Sequence, residues 1–339
     1  MPVDRDGQAI DIDELARRVA GEVFGEGPAR LLSATPYAGA AGSSWRLDYD
    51  RNGAGCTLFV KLPAEGGARH ALFASRLREE YEISCEVKAG FPETPQLRTV
   101  TPAAFVESVQ GFATWAAAGE SLEAVLRRAC RRLGGPLESA RARAALAAAW
   151  LARFHRLPTH YTAADARTLL ATYYDDRLET LTRMTGSGIA DALAADAQGA
   201  LMRLVDEVLT TQQVVRCHND YSPHNMLIDG DTLCVLDYSF AGPGLPAFDV
   251  ACFWHKLDDM RQSLLIEGRR VDALQAAFTE HLGRPFDPAD DALRLGLARL
   301  VLSKMITLLK QPATVAGRRR IGGWRRWLES GLDPAALPR

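Results

Sequence analysis

The chain contains no run approaching the ~18 consecutive apolar residues that a membrane-spanning helix needs. Its cysteines, at 56, 85, 130, 217, 234 and 252, include no Cys-x-x-Cys pair and have no histidine at ligand spacing. Neither structural zinc nor a disulfide framework is therefore expected, and they read as buried thiols. A charge excess of one sign is also missing. With a net charge of −2 and a pI of about 6.4, no global basic field argues for nucleic acid or an anionic membrane. The opening residues, Met-Pro-Val-Asp-Arg-Asp-Gly-Gln, are acidic and lack an apolar core, so the expectation is a soluble cytoplasmic protein with no membrane span and no nucleic-acid partner. Oligomeric state is left open.

What is present is material for a large interior. At 339 residues, 47% hydrophobic and 24% charged, the chain can build a core spread over two packed lobes.

The densest chemistry lies in residues 215–240. Asp220 follows His218 by two positions and precedes Asn225 by five. Next comes an apolar hairpin: Met226-Leu227-Ile228 outward, Asp229-Gly230-Asp231 as the turn, Leu233-Cys234-Val235-Leu236 returning to Asp237. Pro223 stiffens the loop. A loop of this length lets an aspartate face an incoming hydroxyl while Asn225, across the turn, faces a hard cation. Asp237 adds the second oxygen ligand that magnesium takes beside waters and substrate phosphates. The bland alternative is two ordinary turns flanking a hairpin; Asn225, hairpin and Asp237 all standing in register disfavours it. The loop resembles the H-x-D-x-x-x-x-N catalytic loop of protein kinases, and the stretch reads as a phosphoryl-transfer site.

Residues 10–23 carry apolar side chains at helical spacing. Strands are expected at 30–33 and 45–49. Between them, Gly39, Gly42 and Ser43 are small enough to bring backbone N–H groups to phosphate oxygens. The segment lacks the full G-x-G-x-x-G and Walker G-K-[ST] patterns, so a plain hairpin turn is an equal reading. Residues 57–63 form a strand with Lys61 inside its apolar pattern, where a lysine must be paired or functional. The charged helix 69–89 offers Glu79, Glu80, Glu82 and Glu86; Glu80 is chosen by analogy with the strand-lysine to helix-glutamate pair of kinases.

Residues 97–107 and 111–115 complete a sheet of about five strands. From Gly119 onward the pattern is almost wholly helical, which sets a boundary near residue 118 between lobes 1–118 and 119–339. An adenine ring is placed against the backbone of Trp115 to Ala117. Ser121 reads as a cap for the next helix. Further helices are expected at 140–157 with Pro158 as the stop, at 165–184 and 189–211, from about Phe248, and at 261–282, 288–310 and 322–330. Arginines 127, 128, 131 and 132, and 318, 319, 320, 325 and 326, read as solvated faces or as a hold for an anionic acceptor. Tyr173, Tyr174, Asp175 and Asp176 read as substrate contacts or an exposed face. His155 reads as packed or capping, and Asp249 as a structural carboxylate in a first helical turn.

Together, Lys61, the His218-Asn219-Asp220 loop with Asn225, and Asp237 resemble the aminoglycoside phosphotransferase family, relatives of choline kinase within the protein-kinase-like fold. Residues 148–158, ending Arg-Phe-His-Arg-Leu-Pro, and 236–251 are similar to two further family segments. The resemblance implies an α+β, bilobal fold: a five-stranded antiparallel amino-terminal lobe and a helical carboxy-terminal lobe, working with ATP or GTP and Mg2+. It also implies roles: Asp220 catalytic, Asn225 and Asp237 as magnesium ligands, Lys61 as phosphate anchor and Glu80 as its partner. Departures are Asn219 in place of a glycine, Tyr238-Ser239 after Asp237, and the degenerate phosphate loop. The implied acceptor is a hydroxyl of a small molecule: an aminoglycoside-like antibiotic, a sugar or an amino alcohol. Alternatives are a peptide serine or threonine, a cell-envelope or natural-product sugar, or a nucleotide-binding pseudokinase. The joint presence of Lys61, Asp220, Asn225 and Asp237 argues against the last.

Overall fold

The computed structural model describes residues 10–39, 42–63, 70–282, 287, 290–312 and 314–336. In chain order the elements are α1 (Ile12–Phe24), β1 (Arg30–Gly39), β2 (Gly42–Arg51), β3 (Ala54–Leu62), α2 (His70–Gly90), β4 (Leu97–Thr99), β5 (Thr101–Val106), β6 (Gly111–Trp115) and β7 (Glu120–Ser121). They continue with α3 (Leu122–Cys130), α4 (Leu137–Phe154), α5 (Ala163–Arg183), α6 (Asp191–Thr211), β8 (Val215–Cys217), β9 (Met226–Asp229), β10 (Thr232–Val235) and β11 (Gly242–Gly244). The last are α7 (Pro246–Asp259), α8 (Gly268–His281), α9 (Asp291–Lys310) and α10 (Val315–Glu329). Two compact units emerge: Met1–Leu122 with His224–Ala241, and Glu123–Pro223 with Gly242–Arg339. No helix among the described residues is long and apolar enough to cross a membrane.

The first unit is built on an antiparallel five-stranded sheet, order β1-β2-β3-β6-β5. Helix α1 starts where the Asp11 carboxylate accepts from the Glu14 N–H at 2.7 Å, a side-chain cap. Its apolar stripe, Leu15, Ala16, Val19 and Phe24, packs with Leu47, Leu58, Val60 and Val106 of the sheet. Each large side chain so buried contributes about 1.5–3 kcal/mol. β3 carries Lys61, and β6 runs close beside it, because a Cβ on Gly111 would sit 2.4 Å from the Lys61 carbonyl oxygen. A second sheet, order β4-β10-β9-β7, holds the hairpin. At Gly119, φ is +118° and a Cβ would meet the Ile228 carbonyl at 2.4 Å, so only glycine lets the chain lie against β9 there.

The expected single strand 97–107 is two. The chain changes partners at Val100, whose N–H donates to Val235 at 3.0 Å; β4 runs parallel to β10, whereas β5 pairs with β6. Ser121, directly before α3, is also a β7 residue, opposite Leu227.

In the second unit, Leu170, Tyr174, Leu201, Val205, Phe248, Leu302, Met305 and Trp327 are the centre of a buried helical core. Three helix boundaries move from expectation. α4 ends at Phe154 rather than at Leu157. α8 begins at Gly268, because residues 260–262 form a 3-10 turn closing α7. α10 begins at Val315, capped by Thr314 accepting from the Gly317 N–H at 3.0 Å. A short antiparallel pair, β8 with β11, sets Cys217 opposite Gly242.

Candidate active site

Within the first unit, Lys61 Nζ lies 2.5 Å from Glu80 Oε1 and 3.0 Å from Asp237 Oδ1. Of the four helix glutamates, Glu80 is the one brought to the lysine. Its side chain is only 3% exposed, so an ionised carboxylate survives there only with donors on it. It has two: Lys61, and the Ser239 hydroxyl, which donates to Oε2 at 2.8 Å. Burial pushes the Glu80 pKa up, with Lys61 pulling against it and Asp237 adding to the rise. For Lys61, burial alone favours the neutral form, but Glu80 and Asp237 outweigh it and hold the pKa above its ordinary value. The ammonium stays charged through the neutral range.

Asp237 follows β10 with φ at +63°, a left-handed backbone that aspartate tolerates better than most residues. The Leu236 N–H donates to the Asn225 backbone carbonyl at 2.9 Å, and Met226 pairs with Val235, so hairpin pairing brings Asn225 and Asp237 to the same end. An amide oxygen and a carboxylate at one hairpin end form a hard-oxygen donor set of the kind Mg2+ takes with waters and phosphates. These residues fit that ion.

The phosphate-loop reading falls on the β1–β2 turn. Gly39 and Gly42 close the ladder, Ser43 stands opposite Ala38 and Leu62, and residues 40 and 41 lie outside the described residues. Trp115 pairs with Leu58 on one side and Thr101 on the other. The Ala116 N–H already donates to Thr57 at 3.0 Å, and Ala117 comes after the last strand pair.

Within the second unit, Asp220 is half-buried in the loop after β8. Ser222 closes a tight turn on it, its N–H donating to the Asp220 carbonyl at 2.8 Å, and the Cys252 thiol of α7 lies 3.9 Å from Oδ1. What holds the loop is a residue that sequence reasoning left as a helix-end carboxylate. Asp249, fully buried, accepts from the His218 N–H at 2.8 Å, from the Asn219 N–H at 2.7 Å, and meets His155 Nε2 at 2.9 Å. Burial alone would raise its pKa; hydrogen bonding and attraction from His155 and His218 hold it below the ordinary carboxylate value. Cys217 completes a group with His155 and Asp249 whose ligand atoms lie within 4.8 Å, but the thiol donates to Leu245 at 3.1 Å and burial keeps it protonated.

Asn219, the departure from glycine, adopts φ +63°, the left-handed conformation that asparagine enters more readily than other non-glycine residues. Its side-chain oxygen accepts from Arg299 Nη1 at 2.7 Å, and that guanidinium lies over the Tyr173 and Phe248 rings at 5.0 and 4.9 Å. Tyr221 anchors the loop from below, donating to the Ala147 carbonyl at 2.7 Å and stacking on Trp150.

Ser239 stands out in the sequence only as a departure from the family pattern, since a serine two residues after an aspartate gives no sign of its contact with Glu80. Of the clustered arginines, Arg127 pairs with Glu123 and Arg320 with Asp259, whereas Arg128, Arg131, Arg132, Arg318, Arg319 and Arg326 are exposed. Tyr174 is buried and donates to Leu295, whereas Asp175 and Asp176 face water.

A family model described as "Phosphotransferase enzyme family" matches residues 35–289. Among curated proteins, none matches the chain. Among solved structures, the streptomycin-ATP ternary complex of APH(2")-IIa is similar at 12% identity, covering 95% of this chain and 99% of that one, with TM-score 0.57. A choline/ethanolamine kinase family protein from Mesorhizobium loti gives 15% identity, 96% and 98% coverage and TM-score 0.54. The aminoglycoside phosphotransferase APH(3'')-Id from Streptomyces rimosus ATCC10970 gives 16%, 87% and 99%, and 0.53. At these identities the structures speak for the fold: α+β and kinase-like, with its antiparallel five-stranded sheet. The match of the family model over most of the chain goes further, and the protein belongs to the phosphotransferase enzyme family.

Proposed function

We propose that the chain transfers the γ-phosphoryl group of ATP, or of GTP, to a hydroxyl of a small molecule. The observation that carries this reading is the Lys61 ammonium at 2.5 and 3.0 Å from Glu80 and Asp237. A half-buried lysine held between two carboxylates is a fixed positive charge aimed by its neighbours. Phosphoryl transfer needs that more than covalent chemistry, because charge spreads over the equatorial oxygens in a loose transition state.

In the proposed step the acceptor oxygen attacks the γ-phosphorus. The bond to the bridging oxygen breaks, its electron pair leaves on the nucleoside diphosphate, and the acceptor proton passes to Asp220. Asp220 needs hydrogen-bond reach and an ionised carboxylate for this. Lys61 meets the phosphate charge, and Glu80, held by Ser239, orients Lys61. Asn225 and Asp237 would hold a magnesium ion, which when bound neutralises phosphate charge. The backbone of Trp115 to Ala117 would stand against the base, with Gly39, Gly42 and Ser43 nearest the phosphates. ATP supply places the reaction in the cytoplasm.

The test is an acceptor screen with γ-labelled ATP and GTP and magnesium, with Asp220→Ala as the blank. Transfer of label to an alcohol by the wild type and not by the variant is the expected result. Equal transfer by both removes Asp220 from the mechanism.

A further inference from the structure

The second unit carries a cavity of ≈ 280 Å³ lined by Pro223, the residue three after Asp220, and by charged side chains of α3, α7 and α9. A larger one, ≈ 700 Å³, opens between Asp206, Glu207, Asp290 and Asp291 and contains none of the loop residues. The smaller cavity is therefore the one with chemical meaning.

Its charges are unevenly committed. Glu123 is paired with Arg127 at 2.8 Å. The Asp259 carboxylate is more than satisfied, taking Lys304 at 2.6 Å, Arg320 at 2.8 Å and the Gln262 amide at 2.9 Å. Both lining carboxylates are thus already neutralised, and three lining cations stand against two lining anions. The remaining cation is Lys256, half-buried on α7, with no ion-pair or hydrogen-bond partner among the described residues. Lys256 lies one turn after Cys252, whose thiol is 3.9 Å from Asp220 Oδ1. Residues at i and i+4 share a helix face, about 5–6 Å apart at Cβ. Lys256 is therefore on the side of α7 that faces the proposed base.

From this arrangement we infer that the acceptor is a small alcohol bearing an anionic group, a carboxylate or a phosphate, bound by Lys256 while its hydroxyl meets Asp220. The inference rests on the phosphotransferase reading above and narrows it. A polycationic acceptor needs carboxylates with nothing on them, and this cavity has spent both of its own. Its volume, below the roughly 300–1,000 Å³ of pockets for drug-sized ligands, suits an acceptor of one short chain or ring.

The experiment uses the full chain. Thermal shift is measured with D-glycerate and glycerol 3-phosphate against glycerol, choline and kanamycin, with magnesium-ATP as a separate probe. Label transfer to each alcohol is then measured for the wild type, Lys256→Gln and the surface control Arg326→Gln. The expected result is stabilisation by at least one anionic alcohol and by none of the neutral or cationic ones. Lys256→Gln should raise the KM for that acceptor at least 10-fold with kcat changed no more than a few-fold, and Arg326→Gln should leave both unchanged. Glycerate and glycerol 3-phosphate serve as the carboxylate and phosphate arms. Preference for choline or kanamycin, no preference by charge, or a KM indifferent to Lys256→Gln overturns the inference. Loss of the magnesium-ATP shift would count against the phosphotransferase reading instead.

Discussion

Two buried carboxylates, one in each unit, are kept in the interior by opposite means. Glu80 faces an ammonium and a hydroxyl, and burial still raises its pKa. Asp249 faces two backbone N–H groups and a histidine, and its pKa falls despite complete burial. Backbone amides are fixed donors that reorganise little, so a carboxylate pointed at them is firmly ionised and fixes the chain that carries them. A lysine on a flexible stem is a weaker clamp but a usable charge. On this account Asp249 shapes the Asp220 loop, and Glu80 aims Lys61.

The largest effect that separates these roles is on turnover. Lys61→Met should lower kcat/KM for the nucleotide by about 10²–10³, the loss typical of removing one group that stabilises developing charge, with the protein still folded by circular dichroism. Wild-type kinetics in that variant would end the assignment.

Next in size is stability. Asp249→Asn keeps the shape but turns amide hydrogens toward the donors at His218 and Asn219, and should cost about 2–4 kcal/mol in urea unfolding. Glu80→Gln, at a site where burial already favours the neutral form, should cost less than Asp249→Asn. Equal losses would erase the distinction between the two carboxylates.

Acid should expose a third carboxylate. Asp259 is held at a pKa of about 2 against an ordinary 3.8; burial opposes this, and His255, Lys304 and Arg320 more than offset it. Its folded-state pKa is depressed, so its contribution is complete above pH 3.8 and is lost as pH falls through 3.8 toward 2. The amount is about 2 kcal/mol. Urea midpoints between pH 5 and pH 2 should fall less steeply in Asp259→Asn than in the wild type.

The smallest expected effect concerns Asn219. Asn219→Gly keeps the left-handed backbone at no steric cost and loses only the Arg299 contact, whereas Asn219→Ala also loses that contact but keeps a Cβ at φ +63°, and should be less stable than the glycine variant by about 1 kcal/mol. Equal midpoints would mean that the backbone there is not strained.

Lys61 was legible because a lysine in an apolar strand has few physical explanations, and the hairpin because its strands and turn are local in sequence. The break at Val100 was not, since it depends on which strand receives one N–H. Asp249 showed its helix position but not its partners, because the β8–β11 pairing that brings the His218 backbone near it is not written in either segment. Ser239 carries a hydroxyl whose meaning comes entirely from Glu80 and Asp237. Lone charges and local turns can be read from a chain; donors supplied by distant backbone cannot.

The most direct test separates nucleotide binding from turnover in Asp220→Asn, with magnesium-ATP affinity measured by calorimetry and label transfer measured in parallel. The account predicts affinity within a few-fold of wild type and transfer reduced at least about 10²-fold, the scale of a lost proton acceptor. Undiminished transfer with intact binding would contradict it.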